Sequence, residues 1–437
     1  MPATRAKRGR GVPGRSRRGN AASAGTRRDG INPGVRQVLE LRAGRRRIHR
    51  IARFLKEIAV SACRLGIIVA FVCTAATPTW ALDRVVMKRD GVEHTLVGRF
   101  VVTAEDGGVM VETRDGAIWT VPPEEQVSKS SDAEPYRPFT TEETIATLRA
   151  ELPPGFEIYQ TKHYIICFNT SRAYAQWCGS LFERLYQAFQ NYWTNRGFEL
   201  KEPEHPLTAI VFADRASYAR FARNELGDGV DAIIGYYSLR TNRMTMYDLT
   251  GTAGTAGDRG SAAQISQTLA QPDAAKTVAT IVHEATHQIA FNCGLHRRYA
   301  DIPLWVSEGL AVYFETPDVG NSKGWSTIGA VNHARLLTLR NFGPRRPADS
   351  LETLIRDDAR MRNPQQAVDA YAEAWALNYF LLNARSLQYR AYIKELAAKE
   401  PLSWDKPEER LDAFRRAFGN DLTTLDREFQ RYISRLR

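Results

Sequence analysis

His283-Glu284-Ala285-Thr286-His287 and, 21 residues beyond, Glu308 within Pro303-Leu304-Trp305-Val306-Ser307-Glu308-Gly309-Leu310-Ala311-Val312-Tyr313-Phe314-Glu315 are the stretches on which this chain turns. Residues Ala274 to Asn292 read as a helix that stops at Gly294. Histidines four apart on a helix project from one face, one turn apart, so both imidazoles can reach a single ion at about 2.0–2.1 Å. Glu284 is offset from His283 by about 100°, beside the ion, where it can accept a proton from metal-bound water. A solvated helix face with incidental histidines would carry the same five residues, so the neighbours have to decide. Val282, Ile289 and Ala290 give the helix apolar positions that bury it. The second stretch reads as an apolar helix with one acid in its first turn, and an unpaired carboxylate is costly to bury there. A cation supplies its partner. His283, His287 and Glu308 then form the His₂Glu ligand set of catalytic zinc sites, with a fourth position open, and imidazole with carboxylate in an open site suits Zn²⁺ (one ion) above other metals.

On these residues, His283-Glu284-x-x-His287-Gln288 with Asn292 and Trp305-x-x-Glu308-Gly309-x-Ala311-x-Tyr313-Phe314-Glu315, the chain resembles the gluzincin metallopeptidases, particularly the aminopeptidase and leukotriene-hydrolase branch. Residues 143 to 437 are similar to secreted bacterial proteins of unassigned function with a peptidase-MA-like domain. A metzincin reading fails, because Ala290 and Cys293 stand where its glycine and third histidine belong. The resemblance implies a tyrosine some sixty residues after the glutamate ligand that hydrogen-bonds the tetrahedral intermediate. Tyr371, 63 residues after Glu308, is the candidate, with packing beside Tyr379 and Phe380 as the plainer alternative. Aminopeptidases also carry a Gly-x-Met-Glu-Asn run that anchors a free amino group, whereas Arg243-Met244-Thr245-Met246-Tyr247-Asp248 occupies that region here. An endopeptidase is therefore expected, with an extended peptide pairing along a strand edge. His296 and His333 are expected to be structural, as lone histidines usually are, and Glu315 to be a solvated charge rather than a group supporting the metal.

Outward from the motif, the fold class expected is α+β, a zincin-like mixed sheet with an active-site helix and a C-terminal helical part, preceded by a small all-β module. Strand-like runs at His163–Phe168 and Leu207–Phe212 each lead into a helical pattern, Arg172–Arg196 and Ala216–Leu226, which implies a sheet packed on helices. The stripe Trp177, Leu181, Leu185, Phe189, Trp193 belongs to the core. Gly235–Leu239 and Arg243–Tyr247 suggest a hairpin around Arg240-Thr241-Asn242, and residues 250 to 275, rich in Gly, Thr, Ala, Ser and Gln, suggest a mobile loop. Helices are expected at Leu351–Met361, Ala367–Asn383, Tyr389–Ala398 and Pro407–Arg435, the last broken near Gly419-Asn420. Residues 82–128 read as a barrel-like or SH3-like module, its short β-prone runs separated by Asp90-Gly91, Asp106-Gly107-Gly108 and Asp115-Gly116. Residues 129–142 read as a linker and 143–437 as the metallopeptidase domain.

The net charge of +11 invites a nucleic-acid reading, but its distribution removes it. Residues 1–81 hold 18 Lys and Arg against 3 Asp and Glu, and residues 82–437 hold 42 against 46. The body of the chain is slightly acidic, so no nucleic acid partner is expected. Residues 1–50 read as a disordered basic arm. Residues 51–81 read as a signal peptide, with the apolar run Leu65 to Ala76 and small residues before Leu82. The arm is long for such a signal, which suggests a start further downstream, and Ile51-Ala52 stand where a twin-arginine signal needs its arginines. An uncleaved membrane anchor over residues 58–76 is the alternative. Secretion or a periplasmic location follows as the expectation. Cys167, Cys178 and Cys293 are too few for a disulfide framework, leaving one bridge or three buried thiols open. The function expected is that of a secreted zinc-dependent peptidase acting on a peptide or protein substrate. The rival is a non-catalytic envelope binding or scaffolding protein that retains a peptidase fold.

Overall fold

The computed structural model describes residues 81–250, 262–269, 271–316, 325 and 327–437. The expected basic arm, and the signal or anchor segment up to residue 80, lie outside the described residues. Asp90 and Gly91, at φ 51° and 80°, supply the two left-handed residues that a tight hairpin needs and join β1 (Ala81–Arg89) to β2 (Val92–Thr103). β3 (Val109–Thr113) and β4 (Ile118–Val121) continue the meander, and β5 (Gln126–Pro135) returns beside β1 to give the order β4-β3-β2-β1-β5. Val85, Met87, Leu96, Val109, Val111 and Val121 form the core of this sheet. The expected linker boundary needs correction: Ser130 and Ser131 pair with Arg84 and Asp83 of β1. Nearly every β5 side chain is exposed, so no apolar alternation marks the segment, and backbone pairing alone makes it a strand.

The second sheet comprises β6 (Glu157–Gln160), β7 (Tyr164–Phe168), β8 (Leu207–Phe212), β9 (Gly235–Tyr237) and β10 (Arg243–Tyr247) in the order β6-β7-β8-β10-β9. Its three inner strands are parallel and its two edges antiparallel. Side chains alternate across it. Tyr164, Ile166 and Phe168 enter the main core with α2 (Arg172–Thr194), whereas Ile165 and Cys167 pack on the other face with α1 (Thr141–Glu151) and α3 (Arg215–Leu226). The aromatic stripe of α2 is buried, as its spacing implied.

Part of the expected loop 250–275 is instead helical, as α4 (Ala262–Leu269) and the start of α5 (Pro272–Asn292). Ile265 and Leu269, four apart, bury against the main core and stabilise a turn that small polar residues alone would not. Residues 251–261 and 270 of that loop lie outside the described residues. The remaining helices are α6 (Leu304–Phe314), α7 (His333–Phe342), α8 (Ser350–Arg356), α9 (Ala359–Arg362), α10 (Ala367–Ala384), α11 (Ser386–Ala397), α12 (Pro407–Phe418) and α13 (Leu422–Ser434). The helix expected at 351–361 is thus two short ones. Gly419, at φ 109°, makes the expected break between α12 and α13. The chain is α+β, with an N-terminal all-β sheet region and a helical C-terminal part. Cys167, Cys178 and Cys293 are buried and free. Among the described residues no helix is long and apolar enough to cross a membrane.

Candidate metal centre

Two helices bring the candidate ligands together, and each is anchored by polar contacts that the sequence does not advertise. Gln288 on α5 donates from Nε2 to the carbonyls of Thr208 (3.0 Å) and Asn242 (3.1 Å). Asn292, one turn on, exchanges amide hydrogen bonds with Asn242 at 2.7 and 2.8 Å. These contacts fix the rotation of α5 against the sheet. α6 is buried on every side, and its first backbone N–H, from Leu304, donates to Asp358 Oδ1 at 3.0 Å. Arg410 in turn holds both Asp358 and Asp301. At Gly309 a Cβ would stand 2.2 Å from Asn378 Nδ2 and 2.6 Å from the Ala374 carbonyl oxygen. The glycine therefore lets α6 lie directly on α10, with Glu308 turned toward α5.

The resulting ligand atoms converge. His283 Nε2 lies 3.1 Å from His287 Nε2 and 3.2 Å from Glu308 Oε2, and His287 Nε2 lies 3.5 Å from Glu308 Oε1. A tetrahedral ion with bonds of about 2.0–2.1 Å spaces its ligands by about 3.3–3.4 Å, so the separations fit one small divalent cation. All three residues are buried. Burial alone would lower the His283 pKa, but the carboxylates of Glu308 and Glu315 reverse this and raise it to about 10. Burial would likewise raise that of Glu308, yet His287 and His283 hold it far below the usual carboxylate range. A cation entering the set takes the place of a proton.

Glu284 is buried beside the ligands, and its Oε2 accepts the backbone N–H of Tyr237 on edge strand β9 at 2.9 Å. Burial raises its pKa, against the opposing pull of His283 and His287, which suits a base. Tyr371, on α10, has a buried hydroxyl without a hydrogen-bond partner among the described residues. Burial, and after it the Glu308 carboxylate, push its pKa well above the usual phenol value. The candidate tyrosine thus lies by the ligand set and remains protonated.

Glu315 departs from the expectation of a solvated charge. Its Oε1 lies 2.6 Å from His283 Nδ1, and Arg335 reaches its other oxygen at 3.8 Å. Arg335 also stands 5.9 Å from the centre of the Tyr371 ring. Position 315 is two helical turns after Glu308, the same face, which is the signal that could have identified it. His333 is exposed, away from such a role. His296 is fully enclosed, with neither ring nitrogen hydrogen-bonded among the described residues.

Among the described residues one further group, Glu112, Glu204 and His205, has metal-compatible spacing. Arg99 already bridges Glu112 and Glu204, and Arg298 holds Glu112 Oε1 at 2.8 Å. Two guanidiniums neutralise the two carboxylates, so this is an ion-pair knot rather than a cation site. A cavity beside it, lined in part by Thr140, His163, Glu202 and His205, has no residue of the His283 cluster in its lining.

A buried His₂Glu set with an adjacent carboxylate, carried on an α+β frame, is what the fold and the site define. A family described as a protein of unknown function (DUF1570) matches residues 277–403, which take in α5 from its second turn, α6 and α10. Comparison with curated proteins finds no match.

Proposed function

We propose that the protein is a secreted or periplasmic zinc metallopeptidase of the gluzincin type, acting on peptide bonds inside a chain. On this reading the second sheet with α5 is a zincin-like frame and the five-stranded meander an SH3-like module. The observation that carries the proposal is the convergence of His283, His287 and Glu308 at tetrahedral ligand spacing with a buried carboxylate at their side. Zinc bound there would supply a Lewis acid and lower the pKa of a coordinated water to about 7. Glu284, oriented by the Tyr237 N–H, takes the proton as water attacks the carbonyl and passes it to the departing amine. Tyr371 donates its O–H to the developing oxyanion. Glu315 holds His283 by Nδ1, keeping Nε2 turned to the ion. β9 is the sheet edge nearest Glu284, and an extended substrate pairs along it.

The test is metal analysis followed by hydrolysis of denatured casein. Wild type is expected to hold one zinc per chain and cleave. Glu284→Gln should keep the zinc and lose cleavage by at least about a hundredfold. Zinc retained in both proteins with no base-dependent cleavage would instead favour a binding or scaffolding role.

A further inference from the structure

The chain returns across the end of α6 before α7 begins. Thr316, just past α6, donates from Oγ1 to the Thr327 carbonyl at 2.6 Å, and its own carbonyl accepts the Trp325 indole N–H at 3.0 Å. Gly329 then turns at φ 75°, and a Cβ there would stand 2.2 Å from the Tyr313 hydroxyl, so the returning segment lies directly on α6. Asn332 caps α7 by accepting the Arg335 backbone N–H on Oδ1 at 3.1 Å, and Leu336 and Leu339 bury the helix in the main core. Arg335 is thereby held in the first turn of α7. Its guanidinium comes within 3.8 Å of Glu315 Oε2 and 5.9 Å of the centre of the Tyr371 ring. The first contact is between charges, beyond hydrogen-bond reach; the second is at cation–ring distance. Glu315 has two side-chain partners among the described residues, His283 on one oxygen and Arg335 on the other.

Resting on the metallopeptidase reading above, we propose that Arg335 is a positioning residue of the metal site: it holds the outer oxygen of Glu315, so that the inner one stays on His283, and it holds the Tyr371 ring beside the ligand set. One side chain on α7 then ties the support of a ligand on α5 to the oxyanion donor on α10. The balance of charge supports this role. Glu284, Glu308 and Glu315 bring three carboxylates, of which a divalent ion with two neutral imidazoles offsets two. Arg335 supplies the remaining positive charge, beside the carboxylate that supports a ligand without being one. Glu315 stands past the last turn of α6, so its direction depends on such partners.

Two double-mutant cycles test this. The first compares wild type, Arg335→Gln, Glu315→Gln and their pair for zinc affinity by chelator competition, and for the thermal midpoint of the zinc-free protein. The second compares wild type, Arg335→Gln, Tyr371→Phe and their pair for kcat and KM on denatured casein at saturating zinc. Arg335→Gln should lower zinc affinity at least about threefold, and lower it no further once Glu315 is Gln. It should lower kcat at least about threefold with KM unchanged, and not again once Tyr371 is Phe. The midpoint should not move, because the guanidinium is 28% exposed and such a pair adds little to stability. Arg335→Lys, which keeps the charge, should recover part of both losses. Additive losses in either cycle overturn the proposal, as do wild-type zinc affinity and kcat in Arg335→Gln. A lowered midpoint that Arg335→Lys does not restore would make the residue structural and overturn it too. If wild type binds zinc without cleaving casein, the peptidase reading fails while the zinc cycle still decides the role of Arg335. If wild type binds no zinc, both fail.

Discussion

Glu315 Oε1 lies 2.6 Å from His283 Nδ1, and on the proposed zinc reading a carboxylate there sets which imidazole nitrogen would be presented to the ion and raises its basicity. Glu315→Ala should therefore weaken zinc binding by about 10–100-fold while leaving all three ligands in place, measured by competition with a chelator of known affinity. An unchanged affinity would show that α5 alone orients the ring. The sequence singled out the candidate ligands, because helical spacing dictates that His283 and His287 share a face. It misjudged Glu315 because the seven-residue spacing from Glu308 gives only the shared face, while a place just past the end of α6 leaves the direction of the carboxyl to its neighbours. Whether its carboxyl turns inward depends on Arg335 and His283, which reach it from helices distant in sequence.

The approach of α6 to α10 is a property of two helices rather than of any one side chain. Gly309 is the contact point, and a methyl group there would meet the Ala374 carbonyl at 2.6 Å, backbone that cannot rotate away. Gly309→Ala is expected to cost about 1–3 kcal/mol of stability and, by pushing α6 outward, to reduce zinc affinity as well. Urea unfolding and chelator competition on the same preparation check the two effects, and a loss of stability with zinc affinity intact would place the adjustment on α10 instead. Most helices were legible because apolar residues recur at three- and four-residue steps; Gly419 and the Asp-Gly pairs marked their breaks and turns correctly. β5 was not, since an exposed polar strand carries no periodic signature, nor was β6, which at four residues is too short to show one; both exist through their neighbours' backbone groups.

Across the whole molecule, the N-terminal sheet is fastened beside the exit of α5. Arg298 donates to Glu112 Oε1 and to the Gly116 carbonyl, both at 2.8 Å, and Ile118 N–H donates to the Arg240 carbonyl at 2.7 Å, within the β9–β10 turn. The hairpin that orients Glu284 is thus braced from the other sheet. Although burial would raise the Glu112 pKa, His205, Arg298 and Arg99 lower it from 4.5 to about 2. A depressed carboxylate pKa contributes stability that is complete above about pH 4.5 and is lost as pH falls toward 2. The shift corresponds to roughly 3 kcal/mol. Wild type and Glu112→Gln should therefore differ most at neutral pH and converge across that acid window in urea titrations; a gap independent of pH would mean that Glu112 acts by shape alone. Nothing in the order of residues linked position 112 to position 298, because ion pairs 186 apart in the chain leave no local pattern.

Periodicity and residue type alone were enough to mark most of the helices, though not α1, α4 or α7, and to put histidines 283 and 287 on one helix face with an acid at 308 that, once buried, calls for a positive partner. These are consequences of the 3.6-residue repeat and of the cost of burying charge, and both operate within a few turns of chain. The convergence of α5 with α6, the inward turn of Glu315, the orientation of Glu284 by an edge strand and the empty hydrogen-bonding capacity of His296 were settled only in three dimensions. Each depends on groups far apart in sequence, and such distances are set by packing across the whole core.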